Sequence, residues 1–79
     1  MNNLVKLKNV FSDVFGVDAS ELGTDFNNKS VDGWDSVRQL SLVAALEDAF
    51  DIFMDPEDII TCNSYEGVQK VLQRYNIDL

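Results

Sequence analysis

Two adjacent side chains, a carboxylate and a hydroxyl, stand where a predicted turn meets an apolar stretch. Asp35 and Ser36 follow the turn-forming Gly33, and the apolar stretch then runs from Val37 to Phe50. A serine at the start of a helix can cap free backbone amides, act as a nucleophile, or accept a covalent group. These three roles require different neighbours, so the rest of the sequence discriminates among them.

The nucleophilic role lacks its usual chemical partner. A catalytic serine needs a general base within hydrogen-bond reach, yet the chain has no histidine and only six lysines and arginines. A hydrolase that uses Ser36 is therefore disfavoured, and we predict no turnover of activated esters. A helix N-terminus instead suits an attached phosphodiester, because free amides and the helix dipole attract negative charge.

The capping role fits a recognisable pattern. Ser36-Val37-Arg38-Gln39 matches the Ser-x-x-Gln capping box, which predicts that the serine oxygen and the glutamine side chain satisfy amides of the first turn. Asp35 beside the same helix end is expected to gain about 0.3 to 1 kcal/mol from the dipole. The residues alone leave capping and covalent attachment both open.

Charge and composition limit the partners. The 79 residues form one domain, 1–79, with a net charge of −8, and such a field repels nucleic acid and anionic membranes. We expect basic protein partners, no nucleic acid and no membrane insertion, since no apolar run approaches the roughly 18 residues of a span. The lone Cys62 excludes an internal disulfide, and no cysteine–histidine cluster offers a metal site. We therefore expect an unprocessed, soluble, cytoplasmic monomer.

Apolar spacing predicts an all-α fold, a bundle of three long helices and one short one. The first helix is expected from Asn3 to Phe15, with Gly16 as its stop, and the second from Ser36 to Phe50 or Asp51. The intervening loop, 17–34, is expected to contain one short turn at 18–22. Its predicted anchors on the bundle are Phe26, Val31 and Trp34.

The remaining two helices are predicted from their capping residues. Asp55 as N-cap and Pro56 at the first helical position favour a short third helix, which breaks at 61–63. Asn63 or Ser64 is expected to cap the fourth helix. The fourth helix places four residues on one face, namely Val68, Val71, Leu72 and Tyr75.

The second helix carries two apolar faces. A broad arc suited to the core contains Leu42, Val43, Leu46, Ala49 and Phe50. A narrower one, the outer stripe, consists of Val37, Leu40 and Ala44, bordered by Ser41, Glu47, Asp48 and Asp51. The outer stripe either contacts a second neighbour in the bundle or docks a basic partner with an apolar groove. Residues 32–58 favour docking, because eight acids against one base give them a charge of −7.

Taken together, these residues resemble an acyl carrier protein over the whole chain. Asp35-Ser36-Val37 is similar to the family's Asp-Ser-Leu signature, which follows a long loop and opens the second of four helices. LVAALEDAFDI, residues 42–52, resembles the apolar and then acidic continuation of that helix. DPEDIITCNSYEGVQKVL, residues 55–72, resembles the short third helix and the fourth.

The resemblance implies a non-catalytic carrier. It implies that a phosphopantetheinyl transferase attaches 4′-phosphopantetheine from coenzyme A to Ser36, with Asp35 helping to present the serine. The arm's thiol would hold acyl groups as thioesters. Basic enzymes that load and process those groups would meet Val37, Leu40, Ala44, Glu47 and Asp48. Four further residues are either plain core or the lining of an acyl cavity, namely Leu46, Ile59, Val68 and Val71.

Two departures from the family pattern bear on the pathway. Arg38 and Ser41 stand where carriers of fatty acid synthesis usually bear acids, which favours a specialised pathway such as polyketide, lipid-modification or natural product assembly. Gly33-Trp34 replaces the Gly-Gly that usually precedes the serine in peptidyl carriers. The rival interpretation is an acidic helical adaptor that binds a basic protein and carries no prosthetic group.

Three other features receive plain structural interpretations. Cys62 is expected to be a small buried residue rather than a reactive thiol. Met54, beside Phe53, either contacts a partner or closes the core. Three acids near the third helix lack the spacing of a calcium loop and are expected to form a solvated acidic turn, namely Asp55, Glu57 and Asp58.

Overall fold

A computed structural model describes residues 3–79, in which every regular element is helical. The helices are α1 (Asn3–Phe15), α2 (Ser36–Phe50), α3 (Pro56–Thr61) and α4 (Tyr65–Arg74), with a short 3₁₀ turn at Ala19–Glu21. The predicted all-α architecture and its long gap between the first two helices are confirmed. Within the described range, no helix has both the length and the apolar character needed to cross a membrane.

The helix ends follow from local backbone chemistry. α1 ends at Gly16, whose φ of +67° lies in the left-handed region that glycine adopts without strain. Pro56 occupies the first turn of α3 after the N-cap Asp55, as predicted. The Ser64 hydroxyl caps α4 by accepting from the Gly67 amide at 2.8 Å. The sequence left Asn63 and Ser64 open for this cap, and the structure selects Ser64.

The core lies between the inward faces of α1, α2 and α4, and each face was predicted from its periodicity. Met54 is also buried whereas its neighbour Phe53 is 89% exposed, so the methionine closes the core. Cys62 is fully buried, which confirms its interpretation as a small core residue. The full buried set comprises Leu7, Val10, Phe11, Phe26, Trp34, Leu42, Val43, Leu46, Met54, Cys62, Tyr65, Val68, Val71 and Leu72.

Aromatic packing fixes the long loop onto α1. The ring centroids of Phe11 and Phe26 lie 5.8 Å apart, and those of Phe15 and Trp34 lie 4.6 Å apart. The third predicted anchor, Val31, is half-buried against the same cluster. Because Trp34 comes two residues before α2, its burial determines where that helix begins.

Candidate functional site at the start of helix α2

A tight turn delivers Ser36 to the protein surface. Gly33 has a φ of +85°, and its carbonyl accepts a hydrogen bond from the Asp35 amide at 3.0 Å. With Trp34 held in the core, this turn directs both Asp35 and Ser36 outward, and both are exposed. Ser36 is the first residue of α2.

Asp35, and not Ser36, caps α2. Its carboxylate accepts from the Arg38 amide at 2.8 Å, and its carbonyl accepts from the Gln39 amide at 2.9 Å. The predicted capping box beginning at Ser36 is therefore wrong. An ionised acceptor forms a stronger bond than a hydroxyl to the same kind of amide, so the carboxylate one residue earlier takes the position. Within residues 3–79, the Ser36 hydroxyl makes no hydrogen bond.

Gln39 turns inward instead of completing a cap. Its side-chain amide nitrogen donates to the carbonyls of Ile59 at 2.9 Å and Cys62 at 2.7 Å. Its amide oxygen accepts from the Trp34 indole nitrogen at 2.7 Å. Gln39 therefore joins α2, the end of α3 and the loop anchor. A glutamine on the core side of a helix, five residues after a buried tryptophan, is the only sequence signal for this role.

A groove opens beside the Ser36 hydroxyl. It has a volume of about 590 Å³ and lies between the start of α2 and α3. Its lining mixes carboxylate and amide side chains with apolar ones, which suits an arm that is itself partly polar and partly apolar. We call it the Ser36 groove, and its lining residues are Asn28, Trp34, Asp35, Ser36, Gln39, Leu40, Ile59, Ile60 and Asn63.

The outer stripe faces solvent and not a second neighbour. Val37 is 73% exposed and Leu40 is 64% exposed, and Ala44 is exposed as well. The alternative in which this stripe packs inside the bundle is therefore wrong. Ile60 of α3 is 75% exposed and adds an apolar side chain across the Ser36 groove that sequence reasoning did not select.

The acids beside the outer stripe differ in their exposure and in their hydrogen bonds. Asp48 is exposed, whereas Glu47 is half-buried and its carboxylate accepts from the Met54 amide at 2.9 Å. One of the two predicted recognition acids is thus also part of the bond network of the fold. Arg38 is also half-buried. Its guanidinium donates to the Val14 carbonyl and lies 5.8 Å from the centre of the Phe15 ring. Its charge is held at the junction with α1.

Three of the four residues offered as a cavity lining are core. Leu46, Val68 and Val71 are each fully buried, and none of them lines the Ser36 groove. Ile59 is half-buried and lies in that groove.

A buried carboxylate connects α3 to the end of α4. Asp58 is only 8% exposed, pairs with Arg74, and accepts a 2.5 Å hydrogen bond from the Tyr75 hydroxyl. That hydroxyl in turn accepts from the Asp55 amide at 3.1 Å, and its bond to Asp58 raises the pKa of Tyr75. The prediction of a solvated acidic turn is wrong for Asp58, although Asp55 and Glu57 are exposed.

The Cys62 thiol is unsuited to nucleophilic chemistry. Burial, with a smaller contribution from the negative charge of Asp58, raises its pKa from 9.0 to about 11. Its sulfur lies 3.8 Å from that of Met54. The thiol therefore stays protonated near neutral pH.

The fold and the site together define a class of protein: a small acidic helical domain that presents one serine hydroxyl beside a surface groove. Residues 5–72 match the family described as phosphopantetheine attachment site, PP-binding. The chain belongs to this family of phosphopantetheine-binding carrier proteins, which are not catalysts. Searches of curated proteins and of solved structures found no significant match.

Membership in the family implies a 4′-phosphopantetheine prosthetic group, supplied by a phosphopantetheinyl transferase and used by pathway enzymes. The group provides a thiol at the end of a flexible arm. The residues at the start of α2 fit such a group, because an unbonded serine hydroxyl stands at the mouth of a groove of mixed polarity.

Proposed function

We propose that Ser36 is the residue that carries the phosphopantetheine, and that the protein presents acyl thioesters on this arm to partner enzymes. The observation that supports this is that the cap and the free hydroxyl at the start of α2 belong to different residues. Asp35 occupies the cap, so the Ser36 hydroxyl is exposed and free of hydrogen bonds among the described residues. A phosphodiester at the first helical residue also benefits from the positive end of the helix dipole.

Asp35 is proposed to present the serine by fixing its backbone. The carboxylate bond to the Arg38 amide holds the first turn of α2, and the buried Trp34 holds the chain just before it. The Ser36 hydroxyl therefore projects from a rigid position, which lowers the entropic cost of aligning it with a transferase.

The proposed docking surface consists of Val37, Leu40, Ala44, Glu47 and Asp48, to which the structure adds Ile60 as a candidate. Exposed apolar side chains beside carboxylates suit partners that combine an apolar pocket with a basic rim. The apolar side chains supply affinity by desolvation, while the charges steer encounter and orientation. The transferase and the acyl-loading and acyl-processing enzymes are the proposed partners.

The proposed pathway is a dedicated one, of the fatty acid, polyketide or related specialised kind. Arg38 and Ser41 interrupt the acidity at the beginning of the docking surface, and Arg38 is held by the Val14 carbonyl. A partner that recognises a continuous acidic helix would meet a weaker field here. We also propose that the protein is a cytoplasmic monomer.

The test is covalent loading. We expect the protein to gain one phosphopantetheine when incubated with coenzyme A, magnesium and a broad-specificity transferase, as read by intact mass. Ser36→Ala should gain none. Ser20→Ala, an exposed serine of the short 3₁₀ turn outside the proposed docking surface, is the matched control and should load like the wild type. A wild type that gains no mass would favour the adaptor interpretation, and loading of Ser36→Ala would place the group elsewhere.

A further inference from the structure

We propose that the side chain of Gln39 closes the contact between α2 and α3, which we call the seam, so that an acyl group attached through Ser36 stays outside the helical core. This inference rests on the proposed function. It assigns Gln39 as a positioning residue that determines where the cargo lies.

The side-chain amide of Gln39 makes three hydrogen bonds. Both of its N–H groups are used on the carbonyls of Ile59 and Cys62, and its oxygen accepts from the Trp34 indole. The indole can only donate and the carbonyls can only accept, so the orientation of the amide is fixed by its partners. One side chain thus ties α2 to the backbone on the far side of the groove.

Gln39 lies between the attachment point and the core. It follows Ser36 by one helical turn and lines the same groove, whereas the fully buried Leu46, Val68 and Val71 do not. An acyl chain that entered between α2 and α3 would have to displace this amide. The displacement would break three hydrogen bonds and leave the Trp34 indole N–H and the Cys62 carbonyl without protein partners in a partly buried position, which is unfavourable.

Contacts with the end of α4 also hold α3 in place. Asp58 binds Tyr75 and Arg74 at the end of α4, so α3 cannot swing away from α2 as a unit without breaking these bonds as well. A cargo can therefore contact the outer surface of the groove, while the contact between α2 and α3 stays closed to it.

The first experiment uses the wild-type protein carrying an acetyl or an octanoyl thioester, each confirmed by intact mass. We expect the methyl NMR signals of Leu46, Val68 and Val71 to be the same for both cargoes. Hydroxylamine should cleave the two thioesters at rates whose ratio matches that of the free pantetheine thioesters. Octanoyl-dependent shifts of these core methyls, or selective protection of the octanoyl thioester, would overturn the inference.

The second experiment opens the seam with Gln39→Met, which keeps the length of the side chain and removes the amide. Octanoyl cleavage should slow by about fivefold relative to acetyl, as expected if roughly four fifths of the molecules hold the chain inside. Gln73→Met, an exposed glutamine of α4, is the matched control and should behave like the wild type. A Gln39→Met protein that loads normally but shows no octanoyl-specific change would refute the role of Gln39.

The two proposals fail separately. If no arm is attached at Ser36, intact mass reports the failure of the proposed function before any cargo is compared. If the arm is attached and the wild-type octanoyl chain reaches the core, only the inference on Gln39 fails. If Gln39→Met does not fold, the wild-type comparison still decides whether the cargo stays outside the core, and Gln39→Ala repeats the test of the side-chain amide.

Discussion

The loop between α1 and α2 and the segment around α3 border the same groove, but different forces hold them. The loop is fixed by aromatic rings, with Phe26 and Trp34 buried against α1. α3 has no fully buried hydrophobic side chain: Ile59 packs against the core but is only half-buried, and the one buried residue of the helix is Asp58. The position of α3 therefore depends to a larger extent on hydrogen bonds that Ile59 accepts from Gln39 and Asp58 accepts from Tyr75.

This difference has a physical consequence for the site. Apolar packing is non-directional and its contribution grows with buried area, so the loop side is stable as a block. Hydrogen bonds are directional, and a single changed atom can leave a buried partner unsatisfied. We therefore expect the loop side to govern global stability and the α3 side to govern the local shape of the groove.

The largest effect should come from removing the centre of the aromatic cluster. Phe11 is fully buried and its ring meets four other aromatic rings, those of Phe15, Phe26, Trp34 and Tyr65. Phe11→Ala should lower the free energy of unfolding by about 3 to 5 kcal/mol in a urea titration. The exposed Phe53→Ala is the control and should change it by less than about 0.5 kcal/mol. Equal effects would refute the assignment of the cluster.

A smaller loss is expected when the carboxylate of α3 is neutralised. Asp58→Asn removes an acceptor from the Tyr75 hydroxyl and Arg74, which should cost about 1 to 3 kcal/mol. The half-exposed Arg74 itself contributes little of this because solvent screens it. Asp55→Asn, an exposed cap without a side-chain hydrogen bond, should be nearly neutral in the same titration. A neutral Asp58→Asn would mean that apolar contacts alone hold α3.

Alkaline pH should weaken the same region through Cys62. The thiol's pKa rises from 9.0 in the unfolded chain to about 11 in the fold, so the folded protein binds more protons between these values. The contribution of the thiol to the free energy of unfolding is therefore fully present below pH 9. It decreases by up to about 2 kcal/mol as the pH rises towards 11. Denaturant titrations across this range should show a shallower decline for Cys62→Ala. Tyr65 and Tyr75, whose pKa values are also raised, add to the loss of stability above pH 10.

The smallest effect on stability is expected at Leu40 of the docking surface, which lies on α2 and belongs to neither region. Leu40→Ala should leave the free energy of unfolding within about 0.5 kcal/mol of the wild type. It should nonetheless lower kcat/KM of the transferase by about tenfold, a typical cost for an interface anchor. Val5→Ala, an exposed valine on α1, is the matched control and should preserve loading. Equal loading by both variants would exclude Leu40 from the docking surface.

Local pattern predicted most of the fold. The end of α1 at Phe15 and the Pro56 start of α3 depend on neighbours within a few residues, and both predictions are confirmed. The predicted burial of Phe26 and Trp34, large apolar rings in a polar loop, is confirmed as well. The exposed position of Ser36 also follows from the turn at Gly33.

The sequence by itself determined the helices, their apolar faces and the excess of acid, because periodicity and capping act over a few residues; it also contains the Asp35-Ser36 pair that resembles the carrier signature. The cap by Asp35 is equally local, although the Ser-x-x-Gln pattern pointed one residue too late. Only the tertiary structure decided that Gln39 and Asp58 turn inward. Their partners lie 17 to 23 residues away along the chain, at Cys62 and Tyr75. No local pattern encodes which distant backbone or hydroxyl group a polar side chain will meet.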